Sequence, residues 1–572
     1  MNVAAALMVQ AGAVLCCMAG PAGAQGLVAS PRLRTLDVTQ PGEMPGDAAA
    51  DMPGRTIHLS DDLPVDREAL QAELAGLLDR PIGRDVIADI RRVLTQRFVA
   101  SGHPFIDIEI PPQDITDGHL RVVLRQYRVG QVLVSGNDWY SDRQITEAAA
   151  LVPGQTIDKT GLDARLAAFG ASPFVKVTPE FKPGGAPGTT DVTLLVADRL
   201  PVQASAAYRD HGAAATGWDR FDLGVRWGNA FQTGGTLGYT LSSSSDFYTG
   251  RPGSDLLGDG APPRFLSHQL MASLPLAGGT RISLSGAYTR QSPSLGPDLG
   301  SIGTTTQLSA DVTRPVEGVL SWLGAYGEEI GVAADFKRTN NNLSFGGVQV
   351  QRGFTVIGQI SLHIGAMMET ALGRLQMLNT LTASPGGLSP ENTDRAFQPA
   401  GLAQSGTPGA RARYAYDRLV LSQLTPLPQE YGLVLRATMQ AASGTLLGSE
   451  QMSIAGMDAV RGYQEFGVAG SQGVLLSAEL HTPGFSPSGL VGLQGYADQA
   501  QLHVFADAGR AWNPVSSQTA PAAQSTASLG VGATLALADR LNLRLEQGWQ
   551  LIRSNRQGAK GAFLHAEVTA TW

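Results

Sequence analysis

The chain has 572 residues, a formal net charge of −8, 16% charged residues, 69 glycines and a mean hydropathy near zero. Charge lies below the ~25% of ordinary soluble chains, no apolar run of roughly 18 residues follows the first two dozen positions, which excludes transmembrane helices there, and the acidic balance argues against a nucleic-acid binder, which needs a basic stripe. A β-protein remains, either soluble or with one strand face in lipid and the other in water.

Residues 1–24 read as a secretory signal peptide. Val3 to Met18 is apolar, and Ala22-Gly23-Ala24 fits a small-residue cleavage site. Cys16 and Cys17 are the only cysteines. Cleavage after Ala24 would leave no disulfide, no thiolate metal site and no cysteine nucleophile. Residues 25–54 are rich in Pro, Gly, Ala and Asp without a sustained period, so they are expected to be a flexible linker. A short segment that visits a pore is the alternative.

Residues 55–200 carry one unit written twice. Thr56 to Leu59 suits a short strand. Leu70, Leu74, Leu77 and Leu78 share a helical face, stopped by Pro81 and Gly83. Val86, Ile87, Ile90, Val93, Leu94 and Phe98 give a second helix, ending near Gly102. Ile106, Ile108 and Ile110 alternate with polar residues, and Leu120, Val122 and Leu124 do so again after Asp117-Gly118. The order is β-α-α-β-β for residues 55–126. It recurs over 127–200, with strands at 131–135, 174–181 and 191–196 and helices at 141–151 and 160–169. Each unit is an α+β module, and its open sheet edges could take up an extended peptide.

Beyond residue 200 the helical period stops and segments of alternating polarity take over. In the last of them Leu564, Ala566, Val568, Ala570 and Trp572 share one face, while His565, Glu567, Thr569 and Thr571 share the other. A soluble sandwich gives the same alternation, so the number of segments matters more. Strands are placed near 202–210, 218–229, 233–244, 264–275, 279–289, 304–315, 326–339, 353–366, 369–381, 412–425, 431–442, 473–482, 501–510, 527–537, 540–550 and 562–572. Sixteen is an even number, as bacterial outer-membrane barrels require. Tight connections at 230–232, 276–278, 367–369 and 538–539 alternate with long ones at 245–263, 383–411 and 443–472. Short periplasmic turns and long outer loops have this pattern. A long connection at 482–500 departs from it, and boundaries around 316–352 are indistinct. Closure would pair every backbone N–H and C=O in lipid.

The loop 443–472 carries Val460-Arg461-Gly462-Tyr463, and a later strand carries Phe505-x-Asp507-x-Gly509. Asp507 has the parity of His503 and Phe505, opposite Leu502, Val504 and Ala506, so it faces the lumen. Glu479 has lumen parity with Ser477 and His481 and is a second possible acceptor. Arg461 is either a solvated loop charge or a guanidinium folded inward. Inside a lumen its planar fork would need a carboxylate. Gly462 would permit positive φ, and Tyr463 would pack and hydrogen-bond at the loop tip.

Two β-α-α-β-β modules before a sixteen-stranded barrel, with Val460-Arg461-Gly462-Tyr463 after the eleventh strand, resemble the two-partner-secretion transporters. The superfamily also contains the barrel-assembly insertases. Gly102, Pro112, Gln113, Asp117 and Gly118 are similar to the signature of the first POTRA module. An aromatic usually follows that first glycine in the family, whereas this chain has His103-Pro104. Asp210, Gly217 and Asn229 resemble the pattern at the barrel start. The resemblance implies that Arg461 locks onto Asp507. It further implies two periplasmic POTRA modules and a transmembrane β-barrel over 201–572 in the bacterial outer membrane. The expected function is secretion of a partner exoprotein of hemolysin or adhesin type, taken up unfolded. The alternatives are a barrel-assembly insertase and a passive porin. The other expected partners are outer-membrane lipid and lipopolysaccharide. No nucleic acid, nucleotide, metal, cofactor or catalytic residue is expected.

Overall fold

The structure is a computed structural model that describes residues 31–43, 55–170, 172–213, 215–249, 263–293, 299–345, 348–398, 407–465, 467–492, 497–515, 522–538, 540–552 and 561–572. The expected signal peptide and positions 25–30 and 44–54 of the expected linker lie outside them. The chain forms two compact units, one built on the N-terminal modules and one built on residues 198–572.

The first module comprises β1 (Thr35–Thr39), β2 (Thr56–Leu59), α1 (Arg67–Ala75), α2 (Arg84–Ala100), β3 (Ile106–Glu109) and β4 (His119–Gln126), with sheet order β2-β1-β4-β3. Strand β1 corrects the linker expectation. It runs parallel to both β2 and β4, with Leu36 opposite Ile57 on one side and Leu120 on the other. Leu36, Asp37 and Val38 are all buried, and the Thr35-Leu36-Asp37-Val38-Thr39 alternation is too short to stand out inside a Pro- and Gly-rich stretch. The helices bury Leu70, Leu74, Ile90, Leu94 and Phe98 against Leu36, Val38, Leu120 and Leu124. Each such side chain contributes about 1.5–3 kcal/mol on full burial. Asp66 caps α1 by accepting the Ala69 N–H at 3.1 Å.

The second module comprises β5 (Arg128–Ser135), α3 (Asp142–Ala149), α4 (Lys159–Phe169), β6 (Val175–Pro183) and β7 (Thr189–Asp198), in the sheet order β5-β7-β6. Asp158 caps α4 through the Gly161 N–H at 2.8 Å.

Sixteen antiparallel strands then close a barrel. They are β8 (Val202–Arg209), β9 (Arg220–Ala230), β10 (Gly235–Ser243), β11 (Phe265–Pro275), β12 (Arg281–Gln291), β13 (Leu299–Val316), β14 (Ala325–Phe345), β15 (Val348–Thr370), β16 (Gly373–Ser384), β17 (Tyr414–Pro426), β18 (Gly432–Ala442) and, after a loop holding the two-residue strands β19 (Met452–Ser453) and β20 (Ala469–Gly470), β21 (Gln472–His481), β22 (Asp498–Trp512), β23 (Ala523–Leu537), β24 (Leu541–Gln550) and β25 (Ala562–Thr571). The last strand pairs with the first, Thr569 opposite Ala207. Leu223, Leu270, Leu308, Ile360, Leu476, Val504 and Leu529 point outward and stay about half exposed. A sandwich would bury them, so this apolar girdle separates the two readings of the alternation.

Several boundaries differ from the sequence reading, most at β13 to β15. β13, β14 and β15 run past their expected outer ends, with Leu299 paired to Phe345. The extension of β14 opens on Asn340-Asn341-Asn342, a polar run that interrupts the apolar alternation before Leu343 and Phe345. The turn expected at 367–369 lies at 371–372, because β15 continues to Thr370 and Gly373 takes φ +115° to start β16.

Arg461 at the centre of a lumenal charge cluster

The connection between β18 and β21 folds against the inner wall of the barrel. Its strands β19 and β20 pair Met452 with Gly470 and Ser453 with Ala469, pinching the loop into a closed finger. Met452, Ile454, Ala455, Val460, Tyr463 and Val468 bury together against Ala511 of β22. This apolar packing seats the tip that carries Arg461.

Arg461 is 2% exposed. Its Nε donates to Asp507 Oδ2 and its Nη2 to Asp507 Oδ1, both at 2.8 Å, a bidentate fork on one carboxylate. The Arg461 backbone N–H donates to Asp507 Oδ2 at 3.2 Å. The remaining charge is shared: Arg461 Nη1 lies 2.8 Å from Glu479 Oε1 and donates to Glu546 Oε2 at 3.3 Å. The Ser477 hydroxyl donates to Asp507 Oδ1 at 2.7 Å. Phe505 lies beneath the guanidinium, its ring centroid 3.5 Å from Arg461 Cζ.

The wall supplies both charge and room. Arg436 lies 3.0 Å from Glu479, and Arg544 donates to Glu546 at 2.9 Å. His481 and His503 stack with centroids 4.8 Å apart, each beside one of those carboxylates at 3.0 Å. Gly530 leaves space for the Phe505 ring, since a Cβ there would stand 2.1 Å from Phe505 Cζ. Gly509 likewise admits the Val460 and Ile454 side chains, its ideal Cβ falling 3.2 Å from Val460 Cγ2. A cavity of about 410 Å³ opens beside the tip, lined in part by Arg436, Arg461, Arg544, Glu479, Glu546 and His481.

The other motif residues meet the same wall. Gly462 has φ +88°, which a side chain would strain, and its carbonyl accepts from Gln550 Nε2 at 2.6 Å. Tyr463 is buried; its hydroxyl donates to the Ala527 carbonyl at 3.0 Å and also bonds the Ile552 carbonyl. The structure therefore brings Val460, Arg461, Gly462, Tyr463, Glu479, Phe505, Asp507 and Gly509 into one site. Sequence reading missed Glu546 and Arg544, which share the polar face of β24. Its only signal was that face, and parity alone does not say which lumenal acid meets a loop.

The N-terminal signature residues belong to the first module and do structural work there. Gln113 copies a strand partner: its Oε1 accepts the Arg121 N–H at 2.7 Å and its Nε2 donates to the Arg121 carbonyl at 2.8 Å. Asp117 accepts the His119 N–H at 3.2 Å, opening β4. Gly118 has φ +84°, and its carbonyl accepts the Arg34 N–H at 2.8 Å. Gly102 has φ +85° at the end of α2, with Thr160 Oγ1 2.9 Å from where its Cβ would stand. Pro112 is exposed on the β3–β4 loop. His103-Pro104 follows Gly102, and Phe105 packs at a tilt against Phe181 with ring centroids 4.6 Å apart. At the barrel start, the Asp210 carboxylate accepts the Ala566 N–H at 2.9 Å. Gly217 has φ +84° in the first outer loop, and Asn229, at φ +52°, accepts the Gly234 N–H at 3.0 Å in the first tight turn.

Residues 188–535 match the profile of the haemolysin secretion/activation protein family ShlB/FhaC/HecB. No curated protein sequence matches the chain. Among solved structures, CdiB from Escherichia coli is similar at 15% identity with a TM-score of 0.70, covering 97% of this chain and 93% of that one. CdiB from Acinetobacter baumannii is similar at 14% identity with a TM-score of 0.59, covering 95% and 90%. BamA from Haemophilus ducreyi lacking POTRA domains 1–3 is more distant, at 12% identity and a TM-score of 0.51, covering 90% and 98%.

Proposed function

The chain belongs to the haemolysin secretion/activation protein family ShlB/FhaC/HecB, outer-membrane transporters of a partner exoprotein, and on that premise we propose that Arg461 is the lock that holds the lumenal loop of the transporter closed. The observation that carries this reading is the bidentate pairing of Arg461 with Asp507 inside a cluster from which bulk water is largely excluded. Removing one partner of such a buried pair leaves an uncompensated charge, which costs about 3–5 kcal/mol. That is enough to change which conformation of the loop is populated.

In this reading the client enters unfolded from the periplasm. The POTRA modules, 55–126 with β1 added to its sheet and 127–200, offer it the edges β2 and β3 of one sheet and β5 and β6 of the other. The lumen, once the loop 443–472 withdraws, is its path outward. The client is a hemolysin- or adhesin-like polypeptide. Folding outside the cell supplies the driving force, so neither nucleotide nor catalysis by this chain is needed. The outward girdle contacts outer-membrane lipid and lipopolysaccharide, and the net charge of −8 disfavours nucleic acid.

Arg461→Ala and Asp507→Ala are expected to abolish secretion of the cognate exoprotein while the barrel still assembles in the outer membrane. Wild-type secretion by either variant would remove the role. A porin would behave differently: its steady conductance would not depend on these residues.

A further inference from the structure

The same loop carries a second buried ion pair of opposite polarity, in another sector of the wall. Glu450 is 5% exposed. Lys337 of β14 donates to its Oε1 at 2.6 Å. Gln359 of β15 donates to its Oε2 at 3.2 Å, and Tyr416 of β17 does so at 3.3 Å. Gln359 is itself held by the Tyr414 hydroxyl at 2.7 Å. Gln440 of β18 donates to the Glu450 carbonyl at 3.2 Å and to the Ser471 carbonyl at 3.0 Å, tying together the two ends of the loop. The acid is on the loop and the cation on the wall, the reverse of Arg461 and Asp507.

The apolar packing divides in the same place. Leu446 and Leu447 bury with Ile357, Phe397, Tyr414 and Tyr416. Met452 onward buries with Ala511 in a separate cluster. The polar groups around Glu450 come from β14, β15 and β17, whereas Arg461 is held by β21, β22 and β24. No side chain belongs to both sets.

We propose that Glu450 and Lys337 form a second latch, so that the loop is held at two points that release independently. The inference rests on the reading of the loop as a moving element, but its test does not. Breaking the Arg461 pair frees the tip and leaves the root seated. Breaking the Glu450 pair frees the root and leaves the tip seated. Full withdrawal of the loop needs both, which makes Glu450 a positioning residue for the path and not a contact for the client.

The test uses thiol protection in the purified full-length barrel. The native cysteines, Cys16 and Cys17, both fall in the expected signal peptide. One reporter is Leu447→Cys, 5% exposed beside Glu450, and the other is Ala455→Cys, 2% exposed in the tip cluster. Glu450→Gln is expected to raise maleimide labelling at position 447 by about tenfold or more, with position 455 unchanged. Arg461→Ala is expected to do the reverse. The exchanged pair Glu450→Lys with Lys337→Glu is expected to restore protection at 447, which a general packing defect would not allow. Unchanged labelling at 447 in Glu450→Gln, equal exposure of both positions in either single variant, or failure of the exchanged pair to protect would each overturn the second latch. If the labelling pattern holds while Arg461→Ala still secretes normally, the lock reading fails and the two latches stand.

Discussion

Gly462 of the loop and Gly548 of β24 meet backbone to backbone: a Cβ on Gly548 would stand 2.6 Å from the Gly462 nitrogen. Neither partner can yield easily, because Gly462 has positive φ and its carbonyl is held by Gln550. Gly548→Ala is therefore expected to lift the tip by steric contact alone, with every charged residue intact. Overpacking of this kind costs about 1–3 kcal/mol. The measurement is labelling of Ala455→Cys, which should rise in Gly548→Ala. Unchanged protection would mean that the wall gives way instead.

The loop should also respond to pH. Burial pushes the Glu465 carboxyl up to about 7, with the nearby Asp458 and Asp210 charges adding to the rise and the Met457 N–H opposing it. An acid whose folded value is raised favours the seated state when protonated. That contribution is complete below the ordinary value near 4.5 and is lost as pH climbs through about 7. Its size is roughly 3 kcal/mol. Labelling of Ala455→Cys, corrected for the intrinsic reactivity of the thiol, should rise between pH 5 and pH 8. Glu465→Gln should flatten that profile, and an unchanged slope in this variant would assign the response to another group.

Gln113 offers a local readout in the first module. Its amide holds both backbone groups of Arg121 beyond the point where β3 ends. Gln113→Ala removes two hydrogen bonds, each worth about 0.5–1.5 kcal/mol net. Hydrogen exchange at the Arg121 amide should accelerate by roughly tenfold, corresponding to about 1.4 kcal/mol. Amides elsewhere in β4 should change less. A uniform acceleration across the module would point instead to global destabilisation.

The outward girdle makes a further prediction. Val504 on β22 faces outward and is 51% exposed, whereas Thr534 on β23 lines the lumenal cavity. Val504→Arg is expected to cost about 2–4 kcal/mol if it lies near the bilayer midplane. Thr534→Arg is expected to leave assembly intact. The comparison is made by the fraction of heat-modifiable, folded barrel in outer-membrane preparations. Equal assembly of the two variants would contradict the assigned faces.

Much of the architecture was readable because two periods are physically different. Leu70 and Leu74 repeat as a helix does, and Leu502 and Val504 alternate as a strand does, so the change of class near residue 200 was visible. Parity placed Asp507 and Glu479 in the lumen, and the family resemblance pointed Arg461 at Asp507. Other features left weaker marks. β1 alternates over only five residues, Thr35 to Thr39, and the strand after it lies beyond a Pro- and Gly-containing stretch, so the signal was short and isolated. The outer end of β14 begins with three asparagines, Asn340 to Asn342, which break the alternation. Glu546 looked like any lumenal acid, because its importance comes from barrel curvature bringing β24 around to β21 and β22. The Glu450 and Lys337 pair is equally silent, since a loop acid and a wall base so far apart in sequence share no local pattern.

The placement of β1 has a kinetic consequence. It lies inside its sheet, between β2 and β4, with His119 as the partner of Thr35. The segment that precedes the helices therefore completes its pairing only when β4, far along the chain, docks beside it. Until β4 arrives, Leu36 and Val38 lack half of their shelter, and α1 and α2 have only part of a floor to land on. Closing so long a stretch of chain is slow compared with forming a helix. The earliest residues of the module are thus among the last to be secured, and the half-built sheet meanwhile presents an open slot that any extended segment nearby would fit.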